Sequence, residues 1–269
     1  MKDMLNYLAV ALLVFATLIP TTAQAQIKRF EAADSEGVKA SRDESTLYLK
    51  LDAEVKSPIT IPRLAAPLRV ATFANPEVDG KIKVVPKLTT WEIHWGDRPA
   101  GDEALLWLQF DAQPLLLSEL KPTVAAGDGS FYLPAHFATT RGEKVRYEPQ
   151  PKKNTVGYWV GKKDSAMWTM QLDEPGRFNV AVLQGCGKGQ GGSTATMSFI
   201  SPVKDITPTI DFEVVETGHW QNFQWVQHGE VELRHAGEVE VTVAPKHIKK
   251  AALMDIRAIH LIRLPDKKK

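Results

Sequence analysis

Apolar positions in the second half of the chain recur at every second residue. Trp168, Met170 and Leu172 share one parity, Phe178 and Val180 form another short series, and Val239, Val241 and Val243 a third. Each run is bounded by turn formers, as at Gly157, Asp173-Glu174-Pro175-Gly176, Gly218 and Gly237. Alternate side chains of a strand face opposite ways, so this period with such ends predicts half-buried antiparallel strands. The first half reads alike, with strands expected at Thr46–Leu51, Ile59–Ile61, Leu68–Phe73, Lys81–Val85, Thr90–Trp95 and Leu105–Phe110. Trp91, Ile93 and Trp95 share the inward parity there. No stretch of helical length carries an apolar stripe at helical spacing, so the fold class expected is all-β.

The number and spacing of the strands point to two antiparallel β-sandwiches rather than a barrel of strand-helix units. Between them, Pro122, Gly127, Gly129 and Pro134 interrupt the pattern. The expected organisation is a small sandwich over 27–119, a linker over 120–141 and a second sandwich over 142–265, whose first strand starts near Val145. The halves share no motif at a fixed period, which argues against a solenoid or propeller.

Ahead of these, Lys2, the apolar run Leu8 to Ile19 and Ala23-Gln24-Ala25 have the order of an export signal, expected to be cleaved after Ala25. The apolar core is shorter than the ~20 residues of a membrane span and ends at Pro20. The protein is therefore expected to be exported, to the periplasm or the exterior, with no membrane span. A formal charge of +1 supplies no field that would draw in nucleic acid, so no nucleic-acid partner is expected. The single cysteine, Cys186, rules out an intrachain disulfide framework, and stability must come from core burial.

Several stretches invite a chemical reading and fail on context. Gly187-Lys-Gly-Gln-Gly-Gly192 has the spacing of a dinucleotide fingerprint, but the residues after it alternate as a strand, whereas the fingerprint needs a helix N-terminus. Cys186 has no cysteine-enzyme signature around it and reads as a small buried residue. The seven histidines form no pair at metal-binding spacing. No two carboxylates are marked as a glycosidase pair, because the acidic positions at Asp43-Glu44, Asp102-Glu103 and Asp173-Glu174 look like solvated turns.

The order of Asn154 to Trp159, Trp168 to Leu172, Glu174 to Val180, Thr217 to Phe223 and His235 to Val243 resembles the galactose-binding-like jelly rolls of carbohydrate-binding modules. Upstream, Asp128 to Pro134 and Gly142 to Glu148 resemble the run-in to such a module at the C-terminal end of secreted α-L-fucosidases. Thr46 to Pro114 is similar to the small sandwich that follows the barrel in those enzymes. The resemblance implies a jelly roll for the second unit, without the catalytic TIM barrel, for which nothing here is patterned. It also implies a carbohydrate site. In such modules the Gly-Tyr and Gly-x-Trp-Gln pieces wall a cleft and a late Asn bonds the sugar, which places Tyr158 and Trp220 as walls and Asp255 where that Asn stands. Asp lacks the amide's donor, a departure from the pattern. The relatives hold a structural calcium with an early Glu and a late Asp. Glu148 matches the first, but Arg257 stands at the second, so neither metal nor cofactor is expected.

These readings describe an exported, non-catalytic carbohydrate-recognition protein with a glycan ligand. The alternatives are an accessory chain or fragment of an α-L-fucosidase, with a separate glycoside hydrolase as its partner, and a structural interaction module of the cell envelope.

Overall fold

The computed structural model describes residues 27–75, 77–201, 203 and 207–265; the expected export signal, residues 1–25, lies outside them. Among the described residues the fold is β throughout, its helical pieces being three-residue 3-10 turns at Glu31–Ala33, Leu117–Glu119 and Ala135–Phe137. No helix among them is long and apolar enough to cross a membrane.

Eight strands build the first unit: β1 (Lys28–Arg29), β2 (Val38–Arg42), β3 (Thr46–Asp52), β4 (Ile59–Pro62), β5 (Leu68–Phe73), β6 (Lys83–Pro86), β7 (Thr90–His94) and β8 (Glu103–Phe110). They form a sheet of order β1-β2-β3-β8-β5 and a smaller one of order β4-β7-β6. The expected parity holds: Leu47, Leu49 and Leu51 face Trp91 and Ile93 across the core, all buried. Strand β2 was not expected, because Val38 and Ala40 are its only buried apolar positions and two points define no period.

The second unit is a jelly-roll sandwich of twelve strands. They are β9 (Thr123–Val124), β10 (Phe131–Pro134), β11 (Thr139–Arg141), β12 (Arg146–Glu148), β13 (Thr155–Gly157), β14 (Ser165–Leu172), β15 (Gly176–Gly185), β16 (Thr194–Ile200), β17 (Thr209–Glu213), β18 (Gln224–Leu233), β19 (Gly237–His247) and β20 (Asp255–Arg263). One sheet runs β12-β13-β20-β15-β18 with β10 also on β20; the other runs β11-β14-β19-β16-β17 with β9 alongside β14. All these pairings are antiparallel except β9 with β14. Trp168, Met170 and Leu172 point inward, as do Val239, Val241 and Val243.

The stretch 120–141, expected as a linker, is instead part of this sandwich. Phe131 and Leu133, 1% and 0% exposed, are carried into the core by β10, whose partner is β20. The Gly and Pro residues that look like a boundary end these strands after two to four residues, too few for alternation to register. The segment also seats the two units on one another. Arg63 is buried beneath it, donating to the carbonyls of Ala138 at 2.7 Å and His136 at 3.0 Å. Leu68 N–H donates to the Pro149 carbonyl, and the Gln150 amide to that of Val84, each at 2.9 Å. Apolar packing is continuous across the contact, from Phe30 to Leu261.

Candidate functional site

Tyr158, Trp220 and Asp255 come from separate parts of the second unit, yet they line one cleft of about 250 Å³ together with Glu148, Lys153, Val160, Gln221 and Ala252. Each is held by its own local device. Tyr158 follows directly on β13 in the left-handed backbone region, φ 61°, and is 43% exposed. Behind it Trp159 is fully buried, its indole N–H on the Val156 carbonyl at 2.9 Å. Buried Asp164 closes the turn by accepting from the N–H groups of Val160 (2.9 Å), Gly161 (2.8 Å) and Glu143 (2.9 Å). The aromatic is thus displayed by a rigid corner. Its ring is covered on one side by the Arg146 guanidinium, 3.4 Å from the centroid.

Trp220 sits in the connection from β17 to β18. Thr217 anchors that loop, accepting the Cys186 N–H on its hydroxyl at 2.8 Å and donating its own backbone N–H to the Cys186 carbonyl at 3.1 Å. The tryptophan packs against bare backbone: a Cβ on Gly187 would lie 2.7 Å from its indole nitrogen, and one on Gly185 only 2.0 Å from its carbonyl oxygen. The glycines around Cys186 are therefore the bed of Trp220. The strand expected after Gly192 is β16, and no helix follows the loop. Cys186 is fully buried, and burial pushes its thiol up to about 11, which keeps it an inert thiol.

The floor of the cleft is a carboxyl pair. Glu148 on β12 and Asp255 at the start of β20 are 4% and 7% exposed. They converge over Gly157, where a Cβ would stand 2.7 Å from an Asp255 oxygen and 3.0 Å from a Glu148 oxygen. Lys153 Nζ is 2.5 Å from the other Glu148 oxygen. Arg257 is engaged elsewhere, donating to the carbonyls of Lys152 and Lys153 and lying 3.7 Å from the Phe223 ring centroid. Glu148, matched at first sight to a calcium ligand, thus has a lysine as its partner. Among the described residues no group of three or more His, Cys, Asp or Glu side chains could hold a metal ion.

Burial, reinforced by the Glu148 charge and opposed by Lys153 and Arg257, raises the Asp255 carboxyl to about 8. The folded state then keeps a proton that the unfolded chain releases near the ordinary value of 3.8. The stability this confers is complete below that value and is lost as pH rises through about 8. Thermal midpoints should fall between pH 5 and 8, with a loss on the order of 1 kcal/mol per pH unit. Asp255→Asn should flatten the slope, and an equally steep slope in that variant would assign it to another group.

Sequence reasoning missed this pair because Glu148 and Asp255 lie far apart in the chain. It also missed an exposed aromatic group on the outer face of the β10-β20-β15-β18 sheet, where Tyr132 and Trp225 have centroids 6.4 Å apart beside His260. A signal was there for Tyr132, whose parity opposes that of Phe131 and Leu133.

No model of a protein family matches the chain, and no curated protein matches it. Solved structures do. An α-L-fucosidase from Vibrio sp. strain EJY3 is 12% identical over 83% of this chain and 39% of its own, with a TM-score of 0.33. The CBM35 from Cellvibrio japonicus Abf62 is 13% identical over 49% of this chain and 92% of its own, TM-score 0.38. A family 35 carbohydrate binding module from Clostridium thermocellum is 12% identical over 50% and 98%, TM-score 0.36. The chain spans about two fifths (39%) of the fucosidase's length. At such scores none of these likenesses bears on what the cleft holds.

Proposed function

We propose that the protein is a non-catalytic carbohydrate-recognition protein, exported from the cell, whose second unit binds a glycan in the cleft bounded by Tyr158 and Trp220. The observation that carries this reading is the convergence of two aromatic side chains with Gln221, Lys153, Glu148 and Asp255 around one small open cavity. Sugar rings have apolar faces and hydroxyl edges. A site for them combines flat aromatic surface with a few convergent polar groups, which is the composition here.

An array of immobilised oligosaccharides probed with the full chain tests it. Tyr158→Ala and Trp220→Ala should each weaken retention, with a lost aromatic contact worth on the order of 1 kcal/mol. Trp225→Ala removes an aromatic that is 48% exposed but lies outside the cleft, and should leave retention unchanged. Tyr158→Ala should hardly affect unfolding, whereas Trp220→Ala should cost roughly 1–2 kcal/mol because its indole rests on the Gly187 backbone. If Trp225→Ala abolishes retention and the cleft variants do not, the glycan lies on the sheet face. Hydrolysis of an aryl fucoside by the purified chain would show that the protein is an enzyme.

A further inference from the structure

Building on the glycan reading of the cleft, we propose that the outer face of the β10-β20-β15-β18 sheet extends that site, so that the ligand is a single polysaccharide chain running from Tyr158 and Trp220 along β20 to Tyr132 and Trp225. The cleft and the exposed aromatic group share this face. Strand β20 starts at the cleft floor with Asp255 and reaches His260 five residues later. Residues five apart on a regular strand face opposite ways, but the register between β15 and β20 slips between Leu183 and Gln184, and Arg257 is the extra residue. Ile256, Ile259 and Leu261 therefore all point into the core, while Asp255 and His260 both point out. The two are about 15 Å apart at the rise of a strand, so a disaccharide seated in the cleft ends short of the aromatic group.

The surface between them is continuous. Arg257, on β20 between Asp255 and His260, stacks on Phe223, which precedes β18 and Trp225. The outward residue beside His260 on the intervening β15 is Ala181, and its small side chain lets Trp225 reach across to 5.9 Å from His260. Tyr132 and Trp225 are each about half exposed, and their rings are inclined at 64°. Rings so inclined cannot both lie flat on a crystalline polysaccharide, whereas the successive sugars of one free chain can turn to meet each in order, apolar face to ring. Among the described residues, the side chains of Tyr132, Trp225 and His260 make no hydrogen bond, which leaves a hydroxyl, an indole N–H and an imidazole for sugar hydroxyls. An exposed aromatic set continuous with a ligand cleft marks a binding surface rather than incidental exposure.

The experiment compares binding of the full chain to soluble arabinoxylan, galactomannan, β-glucan and galactan with binding to the disaccharide of each backbone. At least one polysaccharide should be held at least roughly ten-fold more tightly than its disaccharide, because the second contact is made by a chain already anchored in the cleft. Trp225→Ala and Tyr132→Ala should each lower polysaccharide binding about three- to ten-fold, the worth of one aromatic contact, and leave the disaccharide unaffected. Either variant decides the matter should the other fail to fold. Trp220→Ala should weaken both ligands. Polysaccharide binding that neither sheet-face variant moves overturns the proposal while leaving the cleft reading intact. Polysaccharide binding that falls with the sheet-face variants but not with Tyr158→Ala or Trp220→Ala overturns it too, since the face would then act without the cleft. A dimer in sedimentation that Trp225→Ala turns into a monomer assigns the face to a second copy of the chain and likewise overturns it. Binding of neither polymer nor disaccharide by a folded chain sinks the glycan reading and this inference with it.

Discussion

Arg63→Ala is expected to destabilise the whole chain by roughly 3–5 kcal/mol, from two buried carbonyls that lose their donor and the cavity the side chain vacates. Arg63 is 2% exposed, between the two units, and lies 4.8 Å from the Tyr147 ring centroid. Burial lowers its guanidinium to about 10, so it remains charged at neutral pH. Its charge is met by the carbonyls of Ala138 and His136 and by that ring rather than by a carboxylate. Truncation leaves both carbonyls without a donor where water does not reach, and opens a void the size of the lost side chain. Arg63→Lys retains the charge as a single point and should recover only part of the loss, because the planar fork reaches two carbonyls at once. Denaturant unfolding gives the answer directly: the midpoint should drop with the slope unchanged. A loss below about 1 kcal/mol would show that the units separate in solution and that Arg63 is hydrated there.

The second large effect is on folding itself. A piece consisting of residues 142–265 is expected to be insoluble, whereas 27–265 is soluble and unfolds cooperatively. The shorter piece lacks β9, β10 and β11, and with them Phe131 and Leu133, which fill the core behind β20. It also removes the Pro134 carbonyl that accepts the Trp168 indole N–H at 2.8 Å. Tyr147, which is fully buried against Arg63, becomes exposed. An unpaired β20 edge next to exposed apolar surface is a template for aggregation. Expression of both pieces with sedimentation and circular dichroism decides the matter, and a soluble, cooperatively unfolding 142–265 would mean that the preceding strands are ornament. A piece that begins at 120 keeps the three strands and separates their effect from that of the missing first unit.

The features readable from the residues alone are local ones. Alternation is a property of a few consecutive residues, so the all-β class, the inward parity of Trp168, Met170 and Leu172, and most strands of the first unit were legible without coordinates. So was the absence of a helix after Gly192, because a strand pattern follows it at once. The three candidate residues of the cleft were marked by a resemblance, and alternation had no way to bring them together. Tyr158 and Trp220 are brought to one cleft by long-range packing, through Thr217 docking on Cys186 and the room left by Gly185 and Gly187. It alone made Glu148 and Asp255 neighbours, one on β12 and the other on β20, joined through β13. It alone turned an apparent linker into core, because a two- to four-residue strand has no readable period and is defined by the partner that satisfies its backbone. Periodicity records which way a side chain faces, whereas what it faces is set by strand pairings between residues distant in the chain, and the charge of Asp255 follows from those pairings through burial and the nearness of Glu148.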